Sequence, residues 1–173
     1  MAPERSMQQR GQFRVSVSRN DLVFSSAHFI TYAGHRCEGL HGHNYRARVT
    51  IDGALDPADK LVFDFLELKR IMRRLCGEID HLVLLPLEST RIQVIEEDGA
   101  VRVSVDGAPR YVFPRTDCAL LPIANTTVEM LAELLAVRLR GELSALGAQG
   151  ITAIEMEVEE SFGQSAVYRM TIG

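Results

Sequence analysis

No apolar run in this chain approaches the roughly 18 residues a membrane helix needs, so no membrane span is expected. No basic block stands out against a net charge of −4, which argues against nucleic acid or an anionic membrane as the main partner. Cysteine is scarce: three residues, an odd number and widely spaced, make no disulfide framework. A reducing cytoplasm is the expected setting, with each thiol free. Met1 to Gln12 is polar and lacks the apolar stretch of a secretory signal, and residues 1–11 read as a loose leader. There is no internal repeat, no low-complexity segment and no dividing linker. What is present is enough for one domain: 173 residues, 46% hydrophobic and 24% charged, a soluble globular composition.

Alternation and helical spacing order the chain. Phe13–Ser18 and Leu22–His28 read as strands interrupted at Arg19-Asn20-Asp21. Residues 31–39 form a loop. From His41 the alternation is clear, with His41, His43, Tyr45, Ala47, Val49 and Ile51 on one face up to the Asp52-Gly53 turn. Asp64 and Glu67 are spaced as a capping pair before a helix marked by Phe65, Leu68, Met72 and Leu75, with Gly77 as its stop. Residues 87–118 read as an insertion of short β runs around Asp98-Gly99, with Tyr111-Val112-Phe113 as a possible third, and no motif in it carries chemistry. A second helix opens at Asn125 or Thr126, with Thr126 and Glu129 at capping-box spacing and Leu131, Leu134, Leu135 and Leu139 as its stripe. Ile154, Met156 and Val158 then alternate with glutamates, and residues 166–171 form the last strand. Two hairpins, each paired with a helix, predict an α+β fold: an antiparallel sheet with both helices on one face and a β-hairpin insertion between them.

The chemistry-bearing residues gather around Cys37-Glu38-Gly39-Leu40-His41-Gly42-His43-Asn44-Tyr45. His41 and His43 leave one strand face together, so both imidazoles can reach one metal ion, for which zinc is the expected choice. His28, at the end of the preceding strand, is the best third ligand, and His35 competes for that place. Ordinary hydrogen-bonded histidines are the alternative. Cys37 is a nucleophile or base if a cation lowers its pKa, or else a fourth ligand that closes the site. Cys76, in the last turn of an amphipathic helix, fills space, and Cys118 has no assigned part. Asp80-His81 is either a carboxylate orienting an imidazole for proton transfer or a plain turn. Glu160 continues the apolar parity of Ile154, Met156 and Val158. It is either at a frayed strand end or aimed into a pocket, where it can accept paired N–H donors from a pterin or guanine ring.

Together these residues resemble the 6-pyruvoyltetrahydropterin synthase superfamily, and within it the 6-carboxytetrahydropterin synthases of queuosine biosynthesis. Phe24-Ser25-Ser26-Ala27-His28 is similar to the family's first zinc-ligand segment. Gly34 to Tyr45 matches its Cys-x3-His-Gly-His signature, whose spacing favours the carboxy branch. Val62-Phe63-Asp64-Phe65, Ile79-Asp80-His81, Thr127-Val128-Glu129, and Glu160 followed by Tyr168 match its remaining motifs. The resemblance implies the tunnelling fold, in which subunits join sheets into a barrel as trimers or hexamers with active sites at subunit interfaces. It implies zinc on His28, His41 and His43, with Cys37, Asp80 and His81 as catalytic residues. Glu160 anchors the pterin, with Thr127 near it. The implied reaction converts 7,8-dihydroneopterin triphosphate to 6-carboxy-5,6,7,8-tetrahydropterin, with release of triphosphate and acetaldehyde. A pyruvoyl-forming synthase, a related dihydroneopterin-phosphate lyase and a non-catalytic zinc- or pterin-binding module of the same fold are the alternatives. Leu85, Thr126 and Met130 depart from the family's usual residues, and the 87–118 insertion exceeds its usual connection.

Overall fold

The two long strands that carry the histidines pair directly. In the computed structural model, which describes residues 12–34 and 36–172 with backbone alone at 19–21, β1 (Phe13–His28) runs antiparallel to β4 (His41–Gly53). The register sets His28 opposite His41 and Ser26 opposite His43. The interruption expected at 19–21 does not break the strand. The register shifts between Ser18 and Val23 instead, so an irregularity in the ladder absorbs the polar residues. His35 and residues 1–11 lie outside the described residues.

Between them the chain makes a small two-strand pair, β2 (Thr31–Tyr32) with β3 (Arg36–Cys37). The remaining elements follow as α1 (Phe65–Gly77), β5 (Val83–Pro86), β6 (Ile92–Glu97), β7 (Ala100–Val105), β8 (Ala108–Pro114), a 3-10 turn at Arg115–Asp117, β9 (Cys118–Leu121), α2 (Val128–Ala145), β10 (Ile151–Ser161) and β11 (Gln164–Thr171). The main sheet has the order β11-β10-β4-β1-β5-β9. Its four long strands are antiparallel, as expected. The two short strands β5 and β9 add in parallel, which makes the whole sheet mixed. Both are short, largely apolar runs that do not alternate, so period-2 reading passes over them. Their pairing brings the two ends of the 87–118 segment together. That segment is a three-stranded antiparallel sheet, β6-β7-β8, one strand more than a hairpin.

Both helices pack on the same side of the main sheet. Leu68, Ile71, Met72 and Leu75 of α1 share a core with Leu131, Leu135 and Leu139 of α2 and with Tyr45, Val49, Ile51, Ile154 and Met156. Burying each such side chain contributes roughly 1.5–3 kcal/mol. Phe65 stays largely exposed and is outside the apolar stripe. Asp64 caps α1 by accepting the Leu66 N–H at 2.8 Å, whereas Glu67 pairs with Arg70 and does not reach back to the cap. The cap of α2 is Thr127, whose hydroxyl accepts from the Met130 N–H. The helix starts later than its spacing suggested because the Thr126 hydroxyl is already committed to the Phe29 carbonyl at 3.0 Å.

The opposite face of the sheet is charged. Arg46 pairs with Glu159, Arg48 with Glu157, and Arg169 with Glu155 across adjacent strands. Asp52, only 6% exposed in its side chain, takes a bidentate contact from Arg14 at 2.7 and 3.0 Å and a second guanidinium from Arg169. The Arg14 hydrogen bond leads the causes that hold its carboxyl down at about 2. An unfolded aspartate titrates near 3.9. This pairing therefore stabilises the fold fully above about pH 5 and loses its effect as the pH falls through about 2. With the arginines roughly half exposed, screening reduces the contribution to about 1–2 kcal/mol. Asp52→Asn is expected to lose that much stability at pH 7 in urea melts, with parent and variant converging toward pH 2. A constant gap across that range would sink the assignment.

Candidate active site

The ligand atoms of His28, His41 and His43 all lie within 4.8 Å of one another, and their ring centroids are 4.7–5.2 Å apart. Strand geometry explains the cluster: His41 and His43 share a face of β4, and cross-strand register brings His28 alongside. The tautomers are set by backbone carbonyls. His28 Nδ1 sits 2.8 Å from the Thr126 carbonyl and His41 Nδ1 2.9 Å from that of Gly39. Each Nδ1–H donating there leaves Nε2 with its lone pair, the arrangement that metal-binding imidazoles adopt.

His28 is the sharpest indicator. Its side chain is 2% exposed, and its Nε2 is buried with no hydrogen-bond partner among the described residues. An orphaned buried nitrogen costs about 1–3 kcal/mol unless something satisfies it. A cation shared with His41 and His43 would do so. Burial pushes the His28 imidazole below its ordinary pKa, so it is neutral at pH 7, as a ligand must be. The three residues therefore fit a metal ion.

Glu160 completes the cluster. Its Oε1 lies 3.3 Å from His28 Nε2 and 3.8 Å from His43 Nε2. It stands where the β10–β11 register slips between Glu159 and Ser161, so the strand is not frayed there: the carboxylate points at the imidazoles. Beneath them the Tyr45 hydroxyl is also buried, and burial, with Glu160 beside it, pushes its pKa up. Thr127, expected near the substrate, spends its hydroxyl on the α2 cap, while its neighbour Thr126 orients His28 through its carbonyl.

Asp80 and His81 form a real pair, with His81 Nδ1 2.8 Å from Asp80 Oδ2. Asp80 also accepts the Ser25 N–H at 2.7 Å, the leading cause that lowers its carboxyl. Their hydrogen bonds go to each other and to Ser25, and none reaches Cys37 or the three imidazoles. His81, with its side chain 80% exposed, borders an open cleft of about 480 Å³ with Ser25, Gly42, His43 and Asn44. Gly42 keeps the strands close here, since a Cβ would come within 3.3 Å of the Ser26 carbonyl.

Cys37 is the only partly accessible thiol, since Cys76 and Cys118 are buried. Burial pushes Cys76 up to about 12, which fits an inert packing role. Two features around Cys37 escaped the sequence reading. Glu38 Oε2 comes 3.8 Å from His41 Nε2, a contact that its three-residue spacing from His41 could have suggested. The 87–118 segment, which showed no chemistry of its own, packs onto the Cys37 loop. The Arg110 guanidinium donates to the Glu38 carbonyl at 2.8 Å, Arg91 to that of Arg36 at 3.4 Å, and the Leu40 N–H donates to the Tyr111 hydroxyl at 3.1 Å. Tyr111 also rests on Phe29, the residue after His28. No sequence pattern marks such contacts.

A family model described as 6-pyruvoyl tetrahydropterin synthase matches residues 17–171. A Methanocaldococcus jannaschii protein named as a putative 6-carboxy-5,6,7,8-tetrahydropterin synthase is 35% identical over 148 residues, covering 86% of this chain and 90% of its own. The 6-pyruvoyl tetrahydropterin synthase of Plasmodium falciparum superposes with a TM-score of 0.85 at 32% identity, covering 93% of this chain and 99% of its own. That leaves about a dozen residues unmatched, too few to hold all of 87–118. A Plasmodium vivax 6-pyruvoyltetrahydropterin synthase, solved as a catalytic-residue mutant with alanine in place of a glutamate, gives a TM-score of 0.85 at 29% identity, covering 94% and 99% of the two chains.

Proposed function

Because the chain belongs to the 6-pyruvoyl tetrahydropterin synthase family, we propose that it is a zinc-dependent 6-carboxy-5,6,7,8-tetrahydropterin synthase. Its substrate is 7,8-dihydroneopterin triphosphate, and its other products are triphosphate and acetaldehyde. The observation that carries the reading is the orphaned Nε2 of His28, buried beside two further imidazoles and a carboxylate. The name of the Methanocaldococcus relative supports the carboxy branch over the pyruvoyl one.

Each residue then has a task. Zinc held by His28, His41 and His43 supplies a Lewis acid that makes the hydroxyls of the substrate side chain more acidic. Glu160 accepts the paired N–H donors of the pterin ring and so fixes its orientation, with Thr127 close to the ring. Cys37 as thiolate takes a proton from a side-chain carbon. His81, held in one tautomer by Asp80, delivers or removes a proton on the other side. Since Asp80 and His81 do not meet Cys37 within one chain, a homo-oligomer with sites between subunits, a trimer or hexamer, suits them. Among the described residues no helix is long and apolar enough to cross a membrane. Free cysteines accord with work in the cytoplasm. Neither nucleic acid nor membrane is needed as a partner.

Chromatography of the products formed by the zinc-loaded protein tests this reading. The expected result is the 6-carboxy product with equimolar acetaldehyde and triphosphate. The pyruvoyl product without acetaldehyde overturns the carboxy assignment, and no turnover of any pterin favours a binding module. One observation favours a second reading, a lyase cleaving dihydroneopterin phosphates by another route. The glutamate replaced in the Plasmodium vivax enzyme is catalytic there, and Glu38 offers a carboxylate 3.8 Å from His41 here. A hydroxymethyl-type pterin fragment among the products would identify that route.

A further inference from the structure

We infer that Arg91, Arg110 and Tyr111 of the three-stranded segment are positioning residues for Cys37, and that the segment is a built-in clamp on the loop that carries the thiol. Cys37 sits at the end of a two-residue strand, in a stretch whose own ladder is only Thr31–Cys37 and Tyr32–Arg36. So short a pair holds little by itself. The clamp supplies what the loop lacks. Arg91 takes the carbonyl before Cys37, Arg110 takes the carbonyl after it, and the Tyr111 hydroxyl accepts the N–H of Leu40.

The clamp is itself held. Asp106 binds Arg91 through both oxygens at 2.9 and 2.7 Å, and the Arg110 guanidinium lies 5.4 Å from the centre of the Tyr111 ring. Cys37 packs against the small core formed by Phe29, Leu85, Val101, Val103 and Val105. Cys37 also borders an open hollow of about 330 Å³ shared with Asp106, Ala108, Pro109 and Arg110. The charged residues bordering this hollow are Arg110 and Asp106, and Asp106 ties Arg91 to it. Arg91 and Arg110 bind the carbonyls on either side of Cys37, so they hold the backbone that presents the thiol. Planar guanidinium forks also hold carbonyls in a fixed direction, which an ammonium does less well.

This inference rests on the reading of Cys37 as the proton-transfer residue, but it can be tested without any pterin. The rate of Cys37 alkylation by iodoacetamide at a fixed pH, followed by mass spectrometry, reports how firmly the loop holds the half-buried thiol. In Arg110→Gln the rate is expected to rise by about three- to tenfold, because the contact to the Glu38 carbonyl is lost. In Arg110→Lys, which keeps a long donor and tests folding independently, the rate returns toward the parent. Tyr111→Phe keeps the ring and loses the acceptor for the Leu40 N–H. Its kcat falls by about tenfold at unchanged KM and zinc content, as expected for a misplaced base. Parent-like alkylation rates in Arg110→Gln and in an Arg91→Gln, Arg110→Gln double variant would overturn the clamp. A raised rate in a protein that turns over no pterin would keep the clamp and reject the catalytic reading.

Discussion

Replacing Cys37 by alanine is expected to lower kcat on dihydroneopterin triphosphate by about 10²–10⁴-fold while leaving zinc content unchanged. Cys37 is the only thiol with access to solvent, since Cys76 and Cys118 are buried, so no neighbour can replace it. Its sulfur contacts the Glu38 carbonyl and the small core, and the metal-binding group is complete without it in His28, His41 and His43. Removing it therefore takes away a base and not a ligand. Zinc is read by metal analysis of the purified variant, and turnover by the product assay. Loss of zinc along with activity would make Cys37 a fourth ligand and the site structural. Unchanged turnover would move the proton transfer to another residue, with Glu38 the first candidate. Stability should fall only slightly, because the thiol lies at the edge of its core.

His28→Ala should have the opposite signature. Zinc affinity is expected to fall by at least about 100-fold, since loss of an outer-shell partner alone costs 10–100-fold and here a ligand goes. Turnover should disappear with the metal and should not return when zinc is restored to stoichiometric levels. The variant also strands the Thr126 carbonyl, which now accepts from Nδ1, and opens a gap beneath His41 and His43. Each effect costs about 1–3 kcal/mol of stability in water. Chelator competition with a chromogenic zinc dye gives the affinity, and a urea melt of the metal-free protein gives the stability. A variant that binds zinc as tightly as the parent would remove His28 from the ligand set. The unsatisfied Nε2 would then need another partner. Glu160, 3.3 Å away, would be the one to examine, as a buried ion pair with protonated His28.

The two experiments separate roles that lie only a few residues apart. The Cys37 loop and the histidine-bearing strand join at His41, yet the loop takes its contacts from the inserted sheet and the strand takes its own from β1 and β10. A substitution on one side can therefore spare the other.

Local geometry made much of this legible in the sequence. Alternation places His41 and His43 on the face of Tyr45, Val49 and Ile51, and Glu160 on the face of Ile154 and Val158, because side chains on a strand have a period of two. Asp64 announces the first helix for the equally local reason that a carboxylate at the cap satisfies a free N–H. The pairing of His41 with His43 follows from such signals, while the family and the tunnelling fold come from the resemblance that the motifs carry together. Tertiary structure alone decided the rest. Only cross-strand register sets His28 against His41 across twelve intervening positions of chain. Only parallel pairing of β5 with β9 closes the inserted sheet back onto the body of the protein. Only its docking puts Arg91, Arg110 and Tyr111 on either side of Cys37, and leaves Asp80 and His81 facing an open cleft away from it. Residue spacing encodes which face a side chain leaves. It does not encode which distant backbone groups remain unpaired once the chain is folded, and those groups hold the thiol in place.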